Sequence, residues 1–300
     1  MKKALRWFGR GLAAIVALLV IAAGTVYGLT SRRMARTFEV PREPALAIAT
    51  DSATIERGRY LAITRGCTDC HAGNLAGGIL VENPAIGRIV TANLTRGRRA
   101  GPLDGRTFEL AVRHGIRPDG SALLVMPSQE FQGLTDDDVA AMAAYAQSLP
   151  AVPDTNPSMR VGPLARVLWM AGKLQAVPAE DVKPGGEHVV TLAMADTKEY
   201  GAYVAAGCVG CHGQDYAGGP MSGMPPGTPP AANITPDSAT GIGAWTEEQF
   251  VTALRTGVRP DGTKIRAPMP IEATKLMIDD ELRATYKYLR TVAAKQTGKR

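Results

Sequence analysis

The chain has 300 residues, 45% hydrophobic and 21% charged, with 34 Lys+Arg against 28 Asp+Glu for a net charge of +6 and a pI near 9.2. This balance excludes a disordered or collagen-like chain, and the length suggests about two domains at the usual ~100–200 residues each. The excess charge is local: residues 1–36 carry seven basic residues and no acidic one, and the remainder holds 27 basic and 28 acidic residues, so no nucleic-acid-binding body is expected.

In residues 1–36, the 21 uncharged residues Gly11 to Ser31 lie between Arg10 and Arg32. A helix of that length reaches roughly 30 Å, the hydrocarbon thickness of a bilayer. A cleaved signal peptide competes, because Ala22-Ala23-Gly24 offers small residues at a plausible cut. The apolar run continues through Val26, Tyr27 and Leu29, however, and Tyr27 suits the membrane interface, which favours an uncleaved anchor. The positive charges flanking the span favour an N-in orientation only weakly. Residues 37–53 read as a linker.

All four cysteines fall in two copies of one pattern, Cys67-Thr68-Asp69-Cys70-His71 and Cys208-Val209-Gly210-Cys211-His212. CxxC alone is compatible with a redox disulfide or half of a zinc site. The His that follows both pairs changes the reading to covalent haem attachment. Two thiols on one helical turn reach the two vinyl groups of a porphyrin, and the next imidazole lies under the iron. Cys67, Cys70, Cys208 and Cys211 are therefore the covalent cofactor residues, and His71 and His212 the proximal ligands, of two haem c groups. Haem of this type is attached outside the cytoplasm, which places the globular part there.

The motifs belong to a duplication with an offset of about 140 residues. Gly58-Arg59-Tyr60 matches Gly201-Ala202-Tyr203, Ala76-Gly77-Gly78 matches Ala217-Gly218-Gly219, and Asn93 matches Asn233. The Arg-Pro-Asp-Gly loops at 117–120 and 259–262 match, as do Met126-Pro127 and Met269-Pro270. Within each copy the patterns are helical, without convincing strands. Residues 53–66 and 197–207 open the copies. Phe108–His114 and Phe250–Thr256 form short helices stopped by Gly115 and Gly257, and 135–148 and 277–292 close the copies, with Thr135 an N-cap. The expected division is 54–150 and 195–293 for two domains, 151–194 for a connector and 294–300 for a polar tail ending in Lys299-Arg300. Val161–Ala176, with Leu164, Val167, Leu168, Trp169 and Leu174, reads as an apolar segment packed between the domains. Only 5% of residues are aromatic, and two porphyrins would fill the space that aromatic side chains leave.

The repeat also selects the sixth ligands. Among the methionines of the second copy, only Met269 has a partner, Met126, and each is followed by a proline that fixes the loop. Met126 and Met269 are the axial candidates opposite His71 and His212. Such ligation leaves no open iron position and suits a carrier rather than a catalyst. An enzyme such as a dihaem peroxidase or a thiosulfate-oxidising cytochrome is the alternative. His114 matches Thr256 and reads as a surface or propionate-side residue, and His188 as structural.

With these residues in view, the chain resembles membrane-associated class I c-type cytochromes, in particular the cytochrome c subunits of bacterial alcohol, aldehyde and gluconate dehydrogenases. The resemblance runs over 54–150 and 195–293 and is carried by CxxCH, AGG, Asn233–Asp237, Gly241–Trp245, RPDG and MP. It implies an all-α fold of two tandem class I cytochrome c domains behind an N-terminal transmembrane helix, with Asn93, Asn233 and Trp245 near the haems. It further implies a dehydrogenase as electron donor and a terminal oxidase, quinone or soluble cytochrome as acceptor, at a bacterial inner membrane with the globular part in the periplasm. Two departures stand out. Leu103 replaces the Trp245 counterpart, and Arg96, Arg98 and Arg99 occupy a loop that is acidic in the family, where they would compensate propionate charge. Those subunits also carry three haem motifs and a C-terminal anchor, whereas this chain has two motifs and an N-terminal one.

Overall fold

The computed structural model describes residues 2–101, 103–183, 190–221, 224–225 and 227–297. The first element, α1 (Lys2–Met34), contains the one helix among the described residues long and apolar enough to cross a membrane, Arg6–Met34, with a mean hydropathy of 2.4 over its most apolar window. That window is 0% buried against the rest of the chain, but the C-terminal end of α1 is docked. Thr30 is buried and its hydroxyl accepts from Arg166 Nη1 at 2.6 Å. Arg33 forms a bidentate pair with Glu180 and stacks 4.4 Å over the Trp169 ring. Residues 37–53 are not a free linker. Phe38 donates its N–H to the Gly120 carbonyl (2.9 Å), and Phe38 and Val40 pack on a core cluster of the first repeat.

The first repeat comprises α2 (Ser52–Thr64), α3 (Cys67–His71), β1 (Gly78–Asn83), β2 (Gly87–Thr91), α4 (Gly105–Glu109), α5 (Ser128–Phe131) and α6 (Asp136–Ser148). Asp51 and Thr135 cap α2 and α6 through their side chains, satisfying N–H groups that lack an intrahelical partner. The helix expected over Phe108–His114 begins earlier, as α4, and widens into a π-helical turn at Leu110–His114 before Gly115 ends it at φ 64°. After β3 (Arg160–Val161) and α7 (Pro163–Met170) comes the second repeat: α8 (Lys198–Ala205), α9 (Val209–His212), α10 (Glu247–Thr256), α11 (Ile271–Thr274) and α12 (Asp279–Leu289). A capping box of Thr246 and Gln249 starts α10, and Gly257 ends it in the left-handed conformation.

The described residues are mostly helical, but the all-α expectation omits an antiparallel sheet of order β1-β2-β3. A bulge between Ile79 and Val81 leaves Ile79 and Leu80 both exposed, so the alternation that marks a strand is broken. The connector also departs from expectation. Trp169 is buried with Leu110, Ile116 and Val177, so α7 packs on the first repeat and on the end of α1 rather than between the repeats. Leu164, Val167 and Met170 remain exposed. His188 and the Lys299-Arg300 tail lie outside the described residues.

In each repeat the opening and closing helices cross at a glycine. A Cβ on Gly58 would collide with the Ala141 carbonyl and one on Gly201 with that of Ala284, so both crossings require glycine. The repeats then meet through a reciprocal set of bonds. Tyr60 donates to Glu281 and accepts from the Ile278 N–H (3.0 Å); Tyr203 donates to Asp138 (2.6 Å) and accepts from the Thr135 N–H (3.3 Å). Arg57 also holds Asp138 (2.9 Å), and Tyr200 also holds Glu281 (2.8 Å). Each of these residues corresponds to its counterpart at an offset of 143, which makes the interface an internal pseudo-twofold contact.

Candidate functional site

Cys67 and Cys208 are half-buried, Cys70 and Cys211 are exposed, and none of the four is in a disulfide. Burial pushes the Cys67 thiol up to about 12 and that of Cys208 up to about 11. Such thiols are far from the thiolate state that a redox pair exploits. Both histidines sit at the end of their short helices and are buried. His71 Nδ1 lies 2.8 Å from the Ala92 carbonyl and His212 Nδ1 lies 2.7 Å from the Ala232 carbonyl. Each Nδ1–H donates to its carbonyl, which leaves the Nε2 lone pair free to ligate. Burial lowers both imidazole pKa values despite that hydrogen bond, so the neutral, ligating form prevails.

The backbone after each motif repeats as well. Gly77 and Gly218 each donate to the carbonyl of the motif histidine at 2.8 Å, and Leu75 and Tyr216 are held at φ 55° and 58°. Non-glycine residues seldom adopt that conformation, and its recurrence marks a constrained loop.

In the second repeat the motif opens onto a cavity of 1120 Å³ whose lining includes Cys208, His212, Met269, Asn233, Trp245 and Arg259. Met269 thus shares one cavity with His212. Its carbonyl accepts from the Ile271 N–H (2.9 Å) across Pro270, at φ −81° and ψ 68°, an inverse γ-turn. Met126 has the same turn, with Ser128 N–H to its carbonyl at 2.8 Å and Pro127 at φ −80° and ψ 57°. In the first repeat Met126, like Cys67 and Leu94, packs against the core cluster that contains Leu75 and Phe108.

The two asparagines are committed to the loops. Asn93 accepts from the Thr95 N–H (2.8 Å) and donates to the Val152 carbonyl (2.8 Å); Asn233 accepts from the Thr235 N–H (2.9 Å) and donates to the Lys295 carbonyl (2.6 Å). Each ties its loop to the segment that follows the closing helix. Trp245 lines the cavity while its carbonyl accepts from the Tyr286 hydroxyl (2.6 Å), and Leu103 is buried in the first core instead. Of the loop arginines, Arg99 pairs with Asp154 at 3.7 Å and Arg98 donates to the Gly101 carbonyl at 3.1 Å. Burial lowers the Arg98 pKa, and nearby Arg117 adds to that effect.

Three residues at the site had no role assigned from the sequence. Arg259 belongs to a matched Arg-Pro-Asp-Gly loop, a signal that was available. Arg65 and Glu130 have no charged counterpart in the other repeat. Glu43, Glu109 and His114 converge within 4.8 Å, but Arg106 and Arg113 already pair with Glu109, so its charge is compensated without a metal.

Two thiols and a tautomer-fixed imidazole on one helical turn, with a thioether-bearing loop on the same cavity, make the donor set of a protein that holds haem covalently. The cytochrome c family model matches residues 55–150 and 199–293, and the chain belongs to that family. It is 30% identical over 276 residues to the cytochrome c subunit of a quinone-dependent alcohol dehydrogenase of Gluconobacter oxydans (strain 621H), covering 83% of this chain and 57% of that one. It is 30% identical to the fructose dehydrogenase cytochrome subunit of Gluconobacter japonicus, covering 85% and 56%. Identity is 28% to the gluconate 2-dehydrogenase cytochrome c subunit of Pantoea cypripedii, covering 84% and 63%. The chain therefore spans less than two-thirds of the length of these relatives. By their names these relatives are cytochrome subunits of dehydrogenases.

Proposed function

We propose that this chain is a membrane-anchored dihaem cytochrome c that relays single electrons from a dehydrogenase to a downstream acceptor. Residues 54–150 and 195–293 form the two haem domains, 1–36 the anchor, 37–53 and 151–194 the connecting segments, and 294–300 the tail. Cys67 and Cys70 tether one haem, with His71 and Met126 as axial ligands; Cys208 and Cys211 tether the other, with His212 and Met269. Iron held between imidazole and thioether supplies one-electron chemistry without an open coordination position.

The observation that carries this reading is the pair of matching histidines, each with Nδ1 engaged by a carbonyl and Nε2 left to ligate, with Met269 on the same cavity as His212. Asn93 and Asn233 hold the loops beside the haems, and Trp245 closes one wall. The Arg96, Arg98 and Arg99 loop compensates propionate charge in the first domain.

The apolar, unpacked part of α1 supports an anchor in a bacterial inner membrane, and CxxCH chemistry supports a periplasmic globular part. Exposed Leu164, Val167 and Met170 on α7, beside the docked end of α1, fit contact with the membrane surface. The relatives support a dehydrogenase of the alcohol, sugar or sugar-acid type as donor, and the aldehyde type rests on the sequence resemblance alone. A terminal oxidase, a quinone or a soluble cytochrome fits as acceptor.

The test is purification from membranes in mild detergent. A dehydrogenase is expected to co-purify, and its substrate to reduce both haems. Recovery of the cytochrome alone, with no substrate reducing it in membranes, would contradict the partner. A haem that turns over peroxide would contradict the carrier role.

A further inference from the structure

Arg65 is buried at the junction of the two repeats without the hydrogen bonds that normally accompany such burial. Its side chain is 7% exposed, and Nε and Nη2 have no hydrogen-bond partner among the described residues. Its paired carboxylate, Glu281, stands 4.0 Å away and is already engaged by Tyr60 and Tyr200. The guanidinium carbon lies 5.6 Å from the Tyr203 ring centroid. Nη1 comes within 4.0 Å of where a Cβ on Gly207 would stand.

Arg65 therefore links the two attachment motifs. It precedes Cys67 by two residues in sequence and lines the cavity that Cys208, Cys211 and His212 line. A positive charge shielded from water acts strongly over such distances.

The pseudo-twofold relation of the repeats fails at this place. Two more residues separate Tyr60 from Cys67 than Tyr203 from Cys208, and Ala206 stands two residues before Cys208 where Arg65 precedes Cys67. A second break involves Glu130, whose counterpart is Ala273. The Glu130 carboxylate lies against the second motif, where a Cβ on Gly210 would fall 2.5 Å from Oε2. Glu130 lines the same cavity as Arg65. The junction thus carries a cation close to both motifs and a carboxylate at each, Asp69 within the first and Glu130 against the second, both at exposed positions.

We propose that Arg65 and Glu130 set the redox balance between the two haem sites, Arg65 raising the potential of both and Glu130 lowering that of the second. Oxidised haem carries one more positive charge than reduced haem, so a buried cation disfavours oxidation and an anion favours it. Glu130 by its own contribution favours a single electron leaving the second site for the first, with no other reactant consumed. The inference rests on the dihaem reading above.

The experiment is a spectroelectrochemical titration of the full-length, haem-loaded protein in detergent, with the second haem identified by the selective spectral change in Met269→His. Arg65→Met is expected to lower both midpoint potentials, and Arg65→Lys to restore them towards wild type. Glu130→Gln is expected to raise the second potential alone. Two c-type haems with potentials unmoved in Arg65→Met would overturn the proposal, as would a folded Arg65→Lys protein that behaves like the Met variant. If Arg65→Met does not accumulate with haem, Glu130→Gln decides: an unmoved second potential overturns the proposal. A haem count other than two per chain would instead overturn the dihaem reading, independently of either charge.

Discussion

The carbonyls of Ala92 and Ala232 each take a proton from a motif histidine, and the sequence already placed those histidines by spacing alone. Spacing could not say which nitrogen would be engaged, because the accepting carbonyl comes from a loop about 20 residues further on. The repeat singles out one pair of methionines, and the structure gives that pair the same proline turn. Met126→Ala and Met269→Ala are each expected to convert one of the two haems to a high-spin form and leave the other low-spin, as read by absorption and electron paramagnetic resonance spectra. Arg65 was not readable: it falls where the first repeat has two extra residues, so no counterpart drew attention to it.

At the scale of elements, capping and stop signals placed the helices well. Thr135, Gly115 and Gly257 perform the roles that their residue types suggest. The sheet was hidden because β1 is bulged and β3 has only 2 residues, leaving no period for the sequence to display. The position of α7 was misread for another reason. An apolar stripe reports that a helix buries one face, and Arg166 and Trp169, which bind the end of α1, decide against what. The glycine crossings offer a direct check. Gly201→Ala places a methyl group against the Ala284 carbonyl and is expected to cost about 1–3 kcal/mol through overpacking. Thermal melting would read this as a lowered Tm, and the matching Gly58→Ala variant should behave alike. An unchanged Tm in both would show that the helices do not cross so closely.

Across the whole molecule, the reciprocal tyrosine bonds join the repeats, and cysteines of both CxxCH motifs line one cavity at their junction. The matched Tyr60 and Tyr203 were visible in the sequence, but the carboxylates they meet lie in the opposite repeat, a relation no spacing within one repeat encodes. Tyr203→Phe removes a bond to the Asp138 carboxylate and is expected to cost about 1–3 kcal/mol. The same contact carries a pH dependence. Burial and Asp138 raise the Tyr203 hydroxyl to about 12 from its ordinary value of about 10. The unfolded chain therefore releases this proton first as pH rises, and stability falls between pH ~10 and about 12. Tyr203→Phe is expected to lose that part of the decline, measured by denaturant titration across this range.

The carrier reading of the chain requires two covalent haems, each closed by a methionine. Intact-mass measurement of the purified protein, combined with near-infrared spectra of its oxidised form, tests this most directly. The expected result is two haems per chain, both low-spin and both showing the methionine-to-iron band. A single haem, or a second haem that is high-spin and reacts with peroxide, would contradict it.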